Sequence, residues 1–341
     1  MTTIREIATS AGVSIGTVSN YLNDPKLVAP ETRKKIEAKI REANYHPKAA
    51  ARSLKSRQTK RVGLVRIISP EDYRSTDPGD NAFLELLAGI NSMVAENGYD
   101  LLISAAKNEA EELKTYARLV GTGQVDGLVV MGIGRTDPRL PFLQEKKIPF
   151  VAYGRAEQDT NYPYVDVDGA AGIAKAVKYL SDLGHRRIAY ITPPQSLMCT
   201  QQRLEGYWRG LAENQLQPED AYVLEGAFSQ RSGQTLAHKL LDLPEPPTAI
   251  LTASDVCALG AIRAIHDRGL VVGKQISVVG FDDISLAGMV HPSLTTLSQP
   301  FRRIGFELMQ SLFSVISGEN AMPQTILSPE LVVRQSTGKW N

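Results

Sequence analysis

The 341-residue chain has little of what marks secreted, membrane-bound or disulfide-stabilised proteins. It contains only two cysteines, Cys199 and Cys257, which form neither a Cys-x-x-Cys pair nor a disulfide framework. Its apolar runs fall short of the ~18 residues that a membrane span needs. Residues 1–10 carry charges and have no apolar stretch typical of a secretory signal. We therefore expect a cytoplasmic protein without a membrane partner.

The motifs of common enzyme classes are also missing. There is no GxSxG, HExxH or P-loop motif, and the five histidines lack metal-ligand spacing. Gly132 and Gly134 follow an apolar run, yet Asp137 stands where a dinucleotide fingerprint has its third glycine. Asp282 and Asp283 are adjacent, and adjacent carboxylates seldom face one glycosidic bond. We expect no enzyme, and therefore no catalytic residues, no cofactor and no metal site.

The net charge of +1 conceals an uneven distribution. Residues 1–61 contain 13 Lys or Arg against 5 Asp or Glu, a formal charge of +8, so the remainder carries −7. A short basic segment on a mildly acidic body favours a polyanionic partner for that segment alone. The alternative is a solvated basic tail.

Residues 1–46 have the pattern of three short helices. The first apolar stripe ends at Gly12, which permits a tight turn, and Ser14 can cap the helix that follows. A third helix fits residues 30–43. Two helices joined by a short turn with a glycine form a helix-turn-helix, whose second helix lies in the DNA major groove. An ordinary three-helix domain without nucleic acid is the alternative.

The second helix carries side chains suited to DNA. Asn20 can make two hydrogen bonds to adenine, and Ile15 can contact a thymine methyl group. Gly16 has no side chain with which to read a base. Short polar side chains that suit phosphate oxygens are Thr17, Ser19 and Asn23.

Beyond Pro47 the pattern changes twice. Residues 48–61 are basic and alanine-rich, so they form a helix only with outside support. From Val62 onward, short apolar runs alternate with helical periodicity, which predicts parallel sheets covered by helices. The number of elements exceeds one core, so two α/β lobes are expected, with a ligand cleft at the carboxyl ends of the strands.

Several segments resemble the lactose/galactose/purine repressor (LacI/GalR) family of bacterial transcriptional regulators. The likeness begins in residues 4–22 and 45–55 and extends along the whole chain. It includes residues 84–90, 126–128, 184–189, 203–207, 253–255, 276–283, 292–299 and 331–337. The resemblance implies an all-α helix-turn-helix head followed by an α/β two-lobed effector domain like that of periplasmic binding proteins.

The resemblance also implies domain boundaries. The helix-turn-helix domain is expected at 1–46, a hinge helix at 47–61 and the effector domain at 62–338. Lobe one should comprise about 62–161 and 293–322. Lobe two should comprise about 162–292 and 323–338.

For DNA, the resemblance implies that two hinge helices meet in the minor groove. Leu54 would wedge open a base step, with Lys55 beside it, and such wedges favour bent DNA. Further DNA-binding candidates are Thr3, Ser14, Tyr45 and Ala51. Relatives often have a large polar residue in place of Gly16 and an Arg or His in place of Asn20. No operator sequence is therefore predicted.

For the effector, the resemblance assigns the cleft to Asn81, Phe83, Arg155, Arg203, Phe228, Ser254, Asp282 and Gln299. These groups suit a polyol, because Asp282 can accept hydroxyl hydrogen bonds and Arg203 can donate several. Phe228 offers a flat apolar face to a sugar ring. A structural ion pair between Arg203 and Asp282 is the alternative. Ser254 is shorter than the usual Asn, which would admit a disaccharide, and Asp283 is expected to cap a helix.

We thus predict a sequence-specific repressor whose operator affinity is controlled allosterically by a mono- or disaccharide inducer. A purine- or other metabolite-responsive regulator is the alternative, although Leu197 stands where the purine-responsive pattern has an Arg. A sugar-binding protein without DNA function is a further alternative. Two half-sites need two heads, so a homodimer is expected. The C-terminal segment has no leucine heptad repeat, so a tetramer is not expected. A phosphocarrier corepressor is left open as an additional partner.

Overall fold

The computed structural model describes residues 2–45, 58–68, 81–157, 161–319 and 322–340. The chain divides into two compact units, residues 1–59 and residues 60–341, which we call the head and the body. The predicted hinge segment falls largely outside the described residues. None of the described helices combines the length and the apolar character that crossing a bilayer requires.

The described part of the head, residues 2–45, contains three α-helices around a small core. They are α1 (Ile4–Ala11), α2 (Ile15–Asn23) and α3 (Pro30–Glu42), with a short 3-10 helix, Pro25–Leu27, between the last two. Gly12 ends α1 with a φ of 67°, and Ser14 caps α2 by accepting from the amide of Thr17 at 3.0 Å. Ile7, Val18 and Ile36 are fully buried between the helices. The predicted helices, the turn and the cap are confirmed.

The body contains two six-stranded sheets, one in each lobe. Lobe one has the strands β1 (Arg61–Ile67), β2 (Asp100–Ala106), β3 (Gly127–Val130), β4 (Phe150–Tyr153), β5 (Tyr164–Val167) and β11 (Gln324–Leu327). Its helices are α4 (Asn81–Glu96), α5 (Glu109–Gly121), α6 (Arg139–Glu145) and α11 (Phe301–Ile316). The strand order is β11-β5-β4-β3-β1-β2, and every pair is parallel.

Lobe two repeats this architecture. Its strands are β6 (Ile188–Thr192), β7 (Val223–Glu225), β8 (Ala249–Thr252), β9 (Ser277–Asp282), β10 (Thr295–Ser298) and β12 (Glu330–Val332). Its helices are α7 (Gly169–Asp182), α8 (Met198–Glu213), α9 (Gln230–Leu241) and α10 (Asp255–Asp267). The order is β12-β10-β9-β8-β6-β7, parallel except for the antiparallel β10–β12 pair. Apolar clusters cover both faces of each sheet, so the inner strands are buried as parallel strands usually are, whereas the edge strands β2, β7, β11 and β12 are partly exposed.

The two lobes are as predicted, but the predicted lobe boundaries are wrong. Strand β5 pairs with β4 and β11 pairs with β5, so both belong to lobe one rather than lobe two. Strand β10 pairs with β9 and belongs to lobe two rather than lobe one. The sheet that a strand joins decides its lobe, and the periodicity of the sequence does not carry that information. The chain crosses between lobes at residue 168, at 299–300 and at 328–329.

Candidate functional site

Most of the predicted DNA-binding residues of the head lie on α2 or at its N-cap. Ser14, Ile15, Gly16 and Asn20 are exposed, with Ile15 at 43%, while Thr17 and Ser19 are partly buried. Asn23 is the last residue of α2. A large exposed apolar side chain at the beginning of a helix is what a base-contacting recognition helix would present.

Two other candidates have structural roles in the head. Thr3 caps α1 in a reciprocal arrangement, accepting from the amide of Glu6 at 3.3 Å while its own amide donates to the Glu6 carboxylate at 2.9 Å. Tyr45 packs against the head core. The candidates Ala51, Leu54 and Lys55 lie outside the described residues.

A cavity of about 880 Å³ lies between the two lobes of the body. Of the predicted effector residues, those that line it are Phe83, Arg155, Arg203, Phe228, Ser254, Asp282 and Gln299. Asn81 begins α4 and is not among the described residues that line the cavity. The structure therefore brings together seven side chains that lie far apart in the sequence.

The lining follows the carboxyl ends of neighbouring strands. In lobe one it runs from β5 through β4 and β3 to β1, and in lobe two from β9 through β8 to the segments after β6 and β7. Neighbouring strands are ~4.8 Å apart, so four of them span roughly 14 Å. We call the end near the crossovers the hinge end and the opposite end the mouth. At the mouth, Phe228 is 44% exposed and the Arg66 guanidinium lies 4.3 Å from the centroid of the Phe83 ring.

A chain of hydrogen bonds crosses the hinge end. The hydroxyl of Tyr153, in lobe one, donates to the Gln299 side chain at 3.1 Å. The amide nitrogen of Gln299 donates in turn to Asp282, in lobe two, at 2.6 Å. Burial raises the pKa of Asp282 to about 7, although Arg203 and the Gln299 hydrogen bond act to lower it. Near neutral pH this carboxyl can therefore donate or accept a hydrogen bond.

Arg203, on α8, is buried at 7% exposure and is one of the residues that line the cavity. It stacks on Phe281 at 3.6 Å from the ring centroid, and its Nη1 donates to the Ala253 carbonyl at 3.0 Å. Its Nε is buried without a hydrogen-bond partner among the described residues. Across these same residues Arg203 forms no ion pair, so the structural ion pair with Asp282 is not observed. A buried cation without a carboxylate partner suits a ligand oxygen.

Sequence reasoning missed a second polar cluster at the hinge end. Asp166, at the end of β5, pairs with Arg155 at 3.2 Å and accepts from Gln202 of lobe two at 3.5 Å. Burial raises the pKa of Asp166, opposed by the Val167 amide and by Arg155. Two signals in the sequence could have indicated this cluster. Asp166 is a carboxylate near the end of an otherwise apolar strand, and Gln202 directly precedes Arg203 on the same helix.

The buried carboxylate of Asp255 accepts hydrogen bonds from the segment that follows β9 and from β10 in lobe two. Ser254 caps α10 by accepting from the Cys257 amide at 3.3 Å. The next residue, Asp255, is fully buried and accepts from the Ile284 amide at 2.8 Å and from the Thr296 hydroxyl. Burial, reinforced by the nearby Asp282 charge, raises the pKa of Asp255 well above its usual range. These bonds fix the backbone that follows β9.

The expectation that Asp283 caps a helix is wrong. Its carboxylate pairs with Arg334 at 2.7 Å, and the short 3-10 helix Ser285–Gly288 begins after Ile284. The φ of Asp283 is 58°, in the left-handed region, and the N-cap position of the 3-10 helix is occupied by Ile284. Among the described residues there is no group of three or more His, Cys, Asp or Glu that could hold a metal ion.

Comparison with known families matches both units. Residues 3–48 match the bacterial regulatory proteins of the lacI family, and residues 177–337 match a periplasmic binding protein-like domain. The HTH-type transcriptional repressor CytR of Escherichia coli K12 is 33% identical over 98% of this chain and 96% of its own length. The chain belongs to the lacI family. The regulator AglR of Rhizobium meliloti strain 1021 is 35% identical, over 98% of this chain and 94% of its own.

Two solved structures of transcriptional regulators are similar over nearly the whole chain. The lac repressor dimer bound to operator and the anti-inducer ONPF has a TM-score of 0.86 at 30% identity, covering 99% of both chains. The transcriptional regulator CelR in complex with cellobiose has a TM-score of 0.75 at 30% identity, covering 98% of this chain and 100% of its own. This chain is thus a DNA-binding transcriptional repressor of the lacI family, whose members are regulators rather than enzymes. The predicted family and fold class are confirmed.

Proposed function

We propose that this repressor binds operator DNA as a homodimer and that a mono- or disaccharide in the interlobe cavity acts as its inducer. The observation that carries the proposal is Arg203, a buried guanidinium without a carboxylate partner, in a cavity that also exposes Asp282 and Phe228. A guanidinium fork and a carboxyl that can both donate and accept suit vicinal hydroxyl groups. The aromatic face suits the C–H side of a pyranose ring.

Two features favour a sugar over a purine. Leu197 lines the cavity where the purine-responsive pattern has an arginine. CelR, which shares the fold over the full chain, was solved with cellobiose. The span of the cavity, roughly 14 Å across four strands, accommodates two linked rings.

For DNA, we place α2 in the major groove, with Asn20 and Ile15 towards base edges. Leu54 stays the predicted minor-groove wedge. Two heads are needed for two half-sites, and the similar lac repressor was solved as a dimer on its operator. A phosphocarrier corepressor stays an open additional partner.

The inducer would act by contacting both lobes at once. Tyr153 and Arg155 belong to lobe one, Arg203 and Asp282 to lobe two, and Gln299 lies in a crossover between them. A ligand bound to all of them favours one arrangement of the lobes, and it can lower operator affinity by at most the free energy of that preference. Such couplings are typically about 1–3 kcal/mol, or 5- to 150-fold.

An operator-release assay tests the proposal. Full-length protein bound to DNA from its own promoter region is titrated with glucose, maltose, cellobiose, lactose, adenine and guanine, and binding is followed by fluorescence anisotropy. We expect one of the sugars to weaken operator binding at least 5-fold in the wild type but not in Arg203→Ala. Release by a purine alone, or tighter operator binding with a sugar, would contradict the proposal.

A further inference from the structure

Away from the crossovers, the two lobes touch through their backbones. Gly134, after β3 of lobe one, pairs with Leu197 of lobe two as an isolated antiparallel bridge. Beside it, the amide of Met198 donates to the carbonyl of Ile133 at 2.9 Å. We call residues 132–134 and 196–198 the clasp. All six line the cavity, so the clasp forms part of its wall.

The lobe-one half of the clasp is fixed by a buried ion cluster. Arg139, at the start of α6, donates to Glu112 of α5 at 2.7 Å and to both carboxylate oxygens of Asp137, at 2.8 and 2.5 Å. The same guanidinium donates to the Gly132 carbonyl at 2.9 Å, and Asp137 accepts from the Gly134 amide at 3.3 Å. The three charged residues thus hold both ends of the turn that carries the clasp.

All three charged side chains of this cluster are buried, and removing charged groups from water costs free energy. The exposed fractions of Glu112, Asp137 and Arg139 are 4%, 8% and 7%. Burial raises the pKa of Glu112, and Arg139 acts to lower it. Replacing a buried ion cluster by apolar side chains is often neutral or stabilising, so such clusters are weak contributors to stability. A planar guanidinium fork does, however, fix the direction of each hydrogen bond.

We propose that Glu112, Asp137 and Arg139 are positioning residues that hold the lobe-one turn in register with residues 196–198, and that the clasp must open for ligand to exchange. The part of this proposal that concerns ligand exchange rests on the proposed function, whereas the part that concerns the contact between the lobes does not. The clasp and the crossovers lie at different strands of each sheet, so the cleft is closed by covalent connections at one end and by two backbone contacts further along.

The first test needs no ligand. Hydrogen exchange of the full-length protein is measured at the Met198 amide in the wild type, in Asp137→Ala and in the control Glu145→Ala. The Glu145 side chain is 73% exposed at the end of α6, the helix that follows Asp137. We expect Met198 to exchange at least 10-fold faster in Asp137→Ala and unchanged in the control. Wild-type protection of Met198 in a folded Asp137→Ala protein would overturn the proposal.

The second test covers the case in which Asp137→Ala does not fold. Gly134→Cys and Leu197→Cys are combined with Cys199→Ala, because antiparallel pairs have Cα separations that suit a disulfide. A Cβ at residue 134 would meet its nearest neighbour, the Ser196 carbonyl oxygen, at 3.4 Å, and its φ lies outside the left-handed region. The added side chain therefore fits.

Association and dissociation of cellobiose and maltose are followed by stopped-flow fluorescence in the oxidised and reduced forms of this variant. We expect oxidation to slow both rates at least 10-fold and reductant to restore them. Equal rates in the oxidised and reduced forms would contradict the proposal that the clasp must open for ligand exchange. If the wild type, assayed in parallel, also binds neither sugar, these two sugars are not the inducer, and the Met198 exchange measurement decides on the clasp by itself.

Discussion

The side-chain amide of Gln299 donates to Asp282 at 2.6 Å while it accepts from the Tyr153 hydroxyl at 3.1 Å. One crossover residue thus joins the carboxyl ends of strands from opposite lobes. Gln299 is buried at 8% exposure, whereas Tyr153 and Asp282 are partly exposed and line the cavity. The relative position of the lobes is therefore linked to the state of a single carboxyl group in the effector site.

Replacing Gln299 by leucine should disturb stability and the titration of Asp282 together. The Tyr153 hydroxyl would lose its acceptor and Asp282 its donor, at about 1–3 kcal/mol for each group left unpaired. Since the Gln299 hydrogen bond lowers the pKa of Asp282, we expect that pKa to rise above its wild-type value of about 7. Carboxyl-resolved NMR and thermal unfolding of the body measure the two effects. An unchanged pKa would show that the bond is not formed in solution.

The raised pKa of Asp282 predicts a pH-dependent stability. An aspartate with a folded pKa of about 7 holds its proton between about pH 4 and pH 7, where the unfolded chain has released it. The folded state therefore loses stability as pH rises through this window and stays at the lower level above it. Asp282→Asn, which retains the acceptor for Gln299, should be roughly 1–3 kcal/mol more stable than the wild type at pH 8, with little difference at pH 4.5.

Urea unfolding of both proteins at the two pH values checks this result. Asp283→Asn serves as the comparison. The Asp283 carboxylate is ion-paired with Arg334, so the variant protein should not be more stable than the wild type at pH 8. Equal midpoints for wild type and Asp282→Asn at pH 8 would contradict the assigned titration.

Phe228→Ala should separate ligand binding from folding. The side chain is 44% exposed in the cavity, so its removal should cost less than about 1 kcal/mol of stability. Loss of a stacked aromatic face should nevertheless weaken binding of a sugar inducer roughly 10-fold. Phe306→Ala is a matched control, because Phe306 is 42% exposed on α11 and is not among the described cavity residues. Calorimetry with both variants gives the comparison, and equal affinities would exclude Phe228 from the site.

Asn20→Ala should act on the operator rather than on the fold. The residue is exposed on α2, and an Asn–adenine contact is worth about 1–3 kcal/mol of discrimination. We expect specific binding to fall about 5- to 150-fold with relaxed preference at one base pair, while binding to random DNA changes little. Thr9→Ala, on α1, provides the control. Equal losses on specific and random DNA would mean that Asn20 contacts phosphate.

The sequence predicted the helices of the head, the two-lobed α/β body and the family. It did not predict which strands pair or which helices contact each other when they lie far apart in the chain. The caps of Thr3 and Ser14 are local, and local spacing is readable in a single sequence. Strand β10 was assigned to the wrong lobe because its lobe depends on pairing with β9, and Thr295–Ser298 contains a single apolar residue that could indicate a buried strand. The Glu112–Arg139 contact joins two helices whose proximity is set by sheet order, which no periodicity reveals.

The three crossovers also have a consequence for synthesis on the ribosome. The head, with its own core, lies entirely within residues 1–59 and can fold as soon as it emerges. Neither body sheet is complete until much later, because lobe one waits for β11 at Gln324–Leu327 and lobe two for β12 at Glu330–Val332. At 5–20 residues per second, both sheets gain their last strand within about one or two seconds of each other. The lobes therefore reach the native state nearly together, and no truncation that ends between the head and β11 leaves an intact lobe.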